Sequence, residues 1–226
     1  MATIADRVPI VASLLGGRTD QNTNISNWIL NSYRDVASAV PFEELELTQN
    51  TLSVANINTV PYPFDARGIK FITLGFPAAN PTSFRPLWKR NVGILDRYAP
   101  TPTGVPAIWA PFNNQILLAQ TPDNNYPLII RYWQKVLPDP LVQNNTVLKV
   151  PDDWLEIIDY AAQERGLIDF QDMQKANDIH ILLWGDPANR KKNPGLIRSR
   201  LTRIQAEYMG ASYGFRPRIY RFTHVK

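Results

Sequence analysis

Carboxylates gather at one place in the chain, where Asp152, Asp153, Glu156 and Asp159 fall close together. Neighbouring carboxylates can divide general acid and base work between them. Here, however, they open a predicted helix, where negative charge offsets the helix dipole and the free first-turn amides. Capping and a solvated face account for all four without a substrate. His180 lies between Ile179 and Ile181 with no serine motif nearby, and reads as a core or interface histidine rather than a base. His224 lies near the C-terminus and reads as a contact residue. Two histidines and no cysteine exclude multi-histidine and thiolate metal sites, iron–sulfur clusters, disulfides and cysteine nucleophiles. Gly16-Gly17-Arg18 lacks the spacing of a phosphate loop, and neither GxGxxG nor GxxxxGK occurs. The six tryptophans (Trp28, Trp88, Trp109, Trp133, Trp154 and Trp184) read as core or interface anchors. These residue types argue against an enzyme and call for no cofactor.

A binding or assembly protein remains, and charge says where it binds. From Pro187 to Lys226 ten Lys/Arg face one acid, Glu207, a balance of +9, while the rest of the chain carries −5. Such asymmetry points to a polyanion or an acidic partner surface at the basic end. The 226 residues, 44% hydrophobic and 19% charged, suffice for one large domain or two small ones with a real core. No apolar run approaches the ~20 residues of a membrane span. Asp6 and Arg7 precede the first apolar stretch, the wrong order for a signal peptide.

The elements that would position these groups follow from periodicity. Asn24–Val40 places Ile25, Trp28, Ile29, Val36, Ala37 and Val40 on one helical stripe, capped by Thr23 or Asn24 and ended by Pro41. Ile4–Leu15 is a weaker helix, with Pro9 well placed only if the helix starts near it. From Phe42 to Val150, short β-rich runs alternate with Asn, Pro and Gly turns, which argues for an antiparallel meander or small sandwich. Fourteen of the 19 prolines lie between Pro61 and Pro151, and Pro77–Pro106 reads as a long excursion. Helix returns at Pro151, and the pattern can run unbroken to Trp184 before Gly185-Asp186-Pro187 stops it. A basic loop, Asn189–Asn193, leads to a last helix, Pro194–Gly210, with Ile197, Leu201, Ile204 and Tyr208 in step.

The expected fold is therefore α+β. A helical bundle is made by both chain ends (1–41 and 151–211), with a β-domain, 42–150, inserted between them. An extended basic arm, 212–226, follows. Trp28, Ile158 and Ile204 are expected to share the bundle core. The arm carries Phe215, Ile219, Tyr220, Phe222 and Val225 among arginines and has no local core of its own, so a partner must order it.

Four segments bring a family into view. Asn114–Pro122 reads Asn-Gln-Ile-Leu-Leu-Ala-Gln-Thr-Pro, and Leu128–Trp133 reads Leu-Ile-Ile-Arg-Tyr-Trp. Leu137–Leu141 reads Leu-Pro-Asp-Pro-Leu, and Val150–Leu155 reads Val-Pro-Asp-Asp-Trp-Leu. A strand ending in a Tyr-aromatic pair, a Pro-Leu loop and a Val-Pro entry into a helix resemble the head-to-tail adaptor (connector) proteins of tailed bacteriophages. Trp28–Tyr33 fits the same family's N-terminal helix. The resemblance covers most of the chain in order, and it rests on hydrophobics and prolines rather than a catalytic signature.

That resemblance implies a structural virion protein, made in the host cytoplasm and placed at the head–tail junction. It implies a homo-oligomeric ring, typically dodecameric, that joins the portal protein to a downstream tail or nozzle protein. DNA would pass through the channel without sequence-specific binding, and no membrane is involved. The helical bundle would meet the portal and the β-domain the next tail component. Arg216, Arg218, Tyr220, Arg221 and Phe222 would bind the portal or a neighbouring subunit, for which strand addition by Arg218–Thr223 is one form. Two alternatives belong to other classes. One is a receptor- or glycan-binding tail module using Trp88 or Trp109 of the β-domain. The other is a nucleic-acid-binding protein using Arg198, Arg200, Arg203 and the basic C-terminus on phosphates.

Overall fold

The computed structural model describes residues 2–40, 42–95, 97, 102–136, 146–189 and 193–202. Pro41, the Leu137–Leu141 loop, Arg190, Lys191, Lys192, Arg203, Ile204, Gly210 and the whole arm with His224 lie outside these residues. The fold class is α+β. The chain divides into two compact units, Met1–Glu44 with Val136–Lys226, and Leu45–Lys135.

The first unit is helical and joins the two chain ends. α1 (Ile4–Leu14) starts with a reciprocal cap: Thr3 Oγ1 accepts from the Asp6 amide at 3.3 Å, and Asp6 Oδ2 accepts from the Thr3 amide at 2.8 Å. That cap fixes the start five residues before Pro9, so the proline lies inside the helix rather than in its first positions. α2 (Asn22–Ala39) follows a 3₁₀ turn, Thr19–Gln21, and begins two residues earlier than its stripe predicts, with no side-chain cap. Its Ile25, Trp28, Ile29, Tyr33 and Val36 are buried, the predicted face.

α4 (Asp152–Asp169) and α5 (Met173–Trp184) replace the single helix that the pattern allows. Gln171 takes a left-handed φ of 61° between them, and the Asp172 side chain caps the new start by accepting from the Lys175 amide at 3.4 Å. Helix α2 packs on α4, α1 packs on both, and α5 packs on α4. Trp28 and Ile158 are both buried in this unit, as expected, while their predicted neighbour Ile204 is not among the described residues.

Close approach explains two glycine positions here. A Cβ on Gly166 would stand 2.9 Å from Leu15 Cδ1 and from Trp28 Cζ3, so α4 meets its neighbours through a missing side chain. Past α5, Gly195 (φ 77°) would carry a Cβ 2.3 Å from the Gly185 amide nitrogen, where the chain folds back on itself. Residues 196–202 are helical again, with Ile197 buried.

The second unit is built on strands β1 (Glu46–Leu52), β2 (Thr59–Pro61), β3 (Ala66–Phe76), β4 (Ser83–Lys89), β6 (Ile108–Phe112), β7 (Gln115–Ala119) and β9 (Pro127–Gln134). They form one seven-stranded sheet in the order β1-β9-β3-β4-β6-β7-β2. A short pair, β5 (Thr103–Gly104) with β8 (Thr121–Pro122), stands apart from it. The sheet is mixed, which corrects the expectation of a purely antiparallel domain: β4 and β6 pair in parallel, Trp88 with Ile108 and Lys89 with Trp109. Parallel neighbours need a long crossover, and the connection from Lys89 to Ile108, which includes the short helix α3 (Val92–Leu95), is long enough. The predicted proline-rich excursion, Pro77–Pro106, thus contains two strands, β4 and β5, and a helix, α3.

Alternation along the strands sorts the two faces. Leu128, Ile130 and Tyr132 of β9 join Ile72 and Leu74 of β3, Leu87 of β4, Trp109 of β6 and Ile116 and Leu118 of β7 in one core. On the other face, α3 places Leu95 and Val92 against Ala110, Ala119, Ile108 and Leu117. Each fully buried large aliphatic side chain contributes roughly 1.5–3 kcal/mol, so the core face sets the register of the whole sheet.

Candidate assembly surfaces

Buried polar groups tie each unit internally. Asp159, 3% exposed on α4, accepts from Arg7 Nε at 3.1 Å through Oδ1, and from Arg7 Nη2 through Oδ2. Burial pushes the Asp159 carboxyl above its ordinary value, while the Arg7 guanidinium pulls the other way. Asp159 is therefore a buried tie between the chain ends, not the solvated carboxylate its spacing suggests. Glu156 keeps the expected exposure and pairs with Arg200 at 3.2 Å. His180 Nδ1 stands 2.8 Å from Glu164 Oε1 and joins α5 to α4, half-exposed rather than in the core. Trp28 Nε1 donates to Asp169 Oδ2 at 2.7 Å, and the Lys149 amide donates to Tyr33 Oη at 3.1 Å.

The sheet unit has a matching network around Asp65. This carboxylate is 7% exposed, and it accepts from Tyr132 Oη at 3.0 Å and from Gln134 Nε2 at 3.1 Å. Burial and the adjacent carboxylate raise the Tyr132 hydroxyl above its usual value. Ser53 Oγ accepts from the Tyr126 amide at 2.8 Å and donates to the Asn124 carbonyl at 3.2 Å. The sequence carries no signal for Asp65, and it reads Asp159 as a solvated helix-start carboxylate, because the partners of both are remote in the chain. Among the described residues no cluster of His, Cys, Asp or Glu could hold a metal ion. No helix among them is long and apolar enough to cross a membrane.

What the sheet offers to a partner lies on its face away from the main core. Phe84, Pro86 and Trp88 of β4 point that way by alternation with the buried Leu87, and Phe84 and Trp88 are 51% and 66% exposed. Beside them Arg131 lies over the Phe71 ring at 5.3 Å, and Lys70 lies over the Trp133 ring at 5.9 Å. Lys70 also reaches Glu46 at 2.7 Å. Arginine and aromatic residues on a pleated face are the composition of a protein–protein interface.

Of the two tryptophans expected to serve a glycan site, Trp88 is exposed, but Trp109 is fully buried in the sheet core. Trp109 cannot form part of an exposed platform, which corrects that expectation. The basic residues Arg198 and Arg200 lie on the last described helix, and Arg200 is engaged by Glu156. Arg216, Arg218, Tyr220, Arg221 and Phe222 are outside the described residues.

A family model described as SU10 adaptor protein matches residues 2–193. No curated protein matches the chain. The chain belongs to the SU10 adaptor protein family, a phage head–tail adaptor family, which makes it a structural component of the virion that works by contacting other phage structural proteins.

Proposed function

We propose that this adaptor forms a ring, twelve-fold in number, between the portal protein and the tail, and that the ring continues the DNA channel without reading sequence. The supporting observation is a family match across residues 2–193 on a chain whose two ends share one helical unit. A unit tied by Arg7–Asp159 and packed around Trp28 is a rigid stem suited to insertion at a portal. The sheet unit, with Phe84 and Trp88 open, then faces the downstream tail or nozzle protein. Contacts that are heterologous and close on themselves generate such rings. The protein has no catalytic step in this reading, and it needs no cofactor.

The C-terminal arm is the attachment device. Arg216, Arg218 and Arg221 pair with carboxylates on the portal or on an adjacent subunit, and Tyr220 and Phe222 anchor in apolar slots. The domain scheme is a bundle from 1–41 and 151–211, an inserted 42–150 and an arm, 212–226. The test is negative-stain imaging of the purified protein, alone and mixed with its portal, for the full chain and for a chain lacking Tyr213–Lys226. Rings that sit on portals only with the full chain are the expected result. Unchanged joining by the truncated chain would remove the arm from attachment. Failure of the full chain to join any portal, with steep salt-dependent binding to DNA instead, would replace the adaptor ring by a nucleic-acid role.

A further inference from the structure

The seven-stranded sheet ends on two different edges. β2 is three residues long and finishes in Pro61, which has no N–H to offer. β1 is seven residues long and contains neither proline, lysine nor arginine. Exposed edges are ordinarily blunted by such residues, because a bare row of amides and carbonyls recruits another strand. Among the described residues β1 has a ladder partner on one side only, β9.

The register identifies the groups on the open side. Leu52 faces Pro127, which cannot donate, and the Ser53 amide donates to the Tyr126 carbonyl at 2.9 Å. Antiparallel pairs alternate between bonded and non-bonded. Leu47, Gln49 and Thr51 therefore aim their backbone groups at β9, and Glu46, Thr48, Asn50 and Leu52 aim theirs outward. The side chains of Thr48, Asn50 and Leu52 are exposed too, Leu52 by 57%.

We infer that the open edge of β1 receives residues Arg218–Thr223 of a neighbouring copy as an added parallel strand; this rests on the ring proposed above. Charge and polarity choose the occupant and its direction. β1 opens on Glu46, whose carboxylate Lys70 reaches at 2.7 Å and an arginine can share, and no basic residue occurs from Glu46 to Leu52. Its far end is apolar, with Leu52, Val54 and Ile57 all about half exposed. The arm runs the same way, from Arg216 and Arg218 to Tyr220, Phe222 and Val225, with no acid after Glu207. In parallel register Arg218 stands beside Glu46, Tyr220 beside Thr48 and Phe222 beside Asn50, next to Leu52. Beyond the predicted last helix, the eight residues from Ala211 to Arg218 can span about 26 Å when extended, at ~3.3 Å each. Backbone pairing supplies the affinity and the alternating side chains the register.

The chain has no cysteine, so introduced thiols are unique. Copies carrying Asn50→Cys are mixed with copies carrying Phe222→Cys, free and with portal, oxidised, and read as disulfide dimers on a non-reducing gel. The expected result is a dimer band at least about fivefold stronger than that from Glu46→Cys with Phe222→Cys, which parallel register holds apart. Adding Thr48→Pro removes one outward N–H and leaves the β9 ladder intact. It should weaken the band about fivefold, the effect of one ladder bond, with an unchanged circular dichroism spectrum. Equal bands from both cysteine positions, a band indifferent to Thr48→Pro, or no band in either mixture would overturn the assignment. Portal joining is scored separately in the same samples, so an adaptor that joins portals without this cross-link refutes the β1 edge and leaves the ring standing.

Discussion

Removing the Arg7 guanidinium, by Arg7→Ala, should be among the most damaging single changes in the helical unit. The side chain bridges α1 to α4 and is 18% exposed, against 4% for the Asp159 carboxylate it serves. Deleting one partner of a buried pair strands the other charge and typically costs 3–5 kcal/mol. The partial exposure of Arg7 puts the expected loss at the low end, about 3 kcal/mol. For a chain of this size that corresponds to a fall of roughly 6–12 °C in the midpoint of thermal unfolding.

The pH dependence gives a second reading. Burial already holds Asp159 above its ordinary value, and without Arg7 it rises further. A carboxyl whose folded-state value is raised contributes its stability below the unfolded value and loses it as pH climbs through the folded one. The deficit of Arg7→Ala should therefore be larger at pH 7 than at pH 4, where the stranded carboxyl takes up a proton. Differential scanning calorimetry and urea unfolding at both pH values measure it. The double variant Arg7→Met with Asp159→Leu should recover most of the loss, since an apolar pair of similar volume is commonly neutral or better. A deficit under about 0.5 kcal/mol, the scale of an ordinary surface change, or one that grows toward pH 4, would show that Arg7 and Asp159 are not a buried tie.

Three other outcomes are expected. Gly166→Val drives side-chain atoms into Leu15 and Trp28, and overpacking of this kind should cost about 1–3 kcal/mol in a denaturant titration. Tyr132→Phe leaves the buried Asp65 carboxylate without one of its two described donors, a loss of about 1–3 kcal/mol confined to unfolding of the sheet unit. The double change Phe84→Ser with Trp88→Ser should leave stability within about 0.5 kcal/mol per site while weakening capture of the downstream tail component in a pull-down. Retention of full capture would assign that face of the sheet to something else.

Local pattern carried the reading wherever burial was one-sided. The stripe of α2 and the Pro151 entry to α4 follow from spacing alone, because a helix that buries one face must repeat its apolar residues at that period. So does the β character of the short runs between Phe42 and Val150, of which β3 and β9 send alternate residues into the core. The break at Gln171 has a sequence signal, Asp172 just before Met173, but a cap residue inside an uninterrupted stripe is outweighed by the stripe. β4 was hidden for another reason: six of its seven residues are exposed, so its membership rests on backbone pairing to β3 and β6 and not on hydrophobic alternation. The proline in it, Pro86, argued the same way.

Tertiary partners were the part no window could contain. Arg7 and Asp159 are 152 residues apart, and Trp28 and Asp169 are 141 apart. Nothing near Asp159 distinguishes it from the exposed Asp152, Asp153 and Glu156. The dipole argument that explains those three is sound, and it fails at the fourth because position 159 turns inward with Trp154, Leu155 and Ile158.

Such long-range ties also bear on how an adaptor of this build could work. The strongest polar contacts described, around Asp159 and Asp65, lie inside one unit or the other, where each stabilises a packed core. Other features are of another kind: exposed aromatic residues on one sheet face, a β1 edge with no second ladder partner among the described residues, and a basic segment whose apolar residues have no core nearby in sequence. Each is costly in a free protein, since exposed rings and unpaired edges invite misassociation. They are tolerable in a molecule that works in contact with other phage structural proteins. Surfaces that would be liabilities in a free protein are the ones an adaptor must keep.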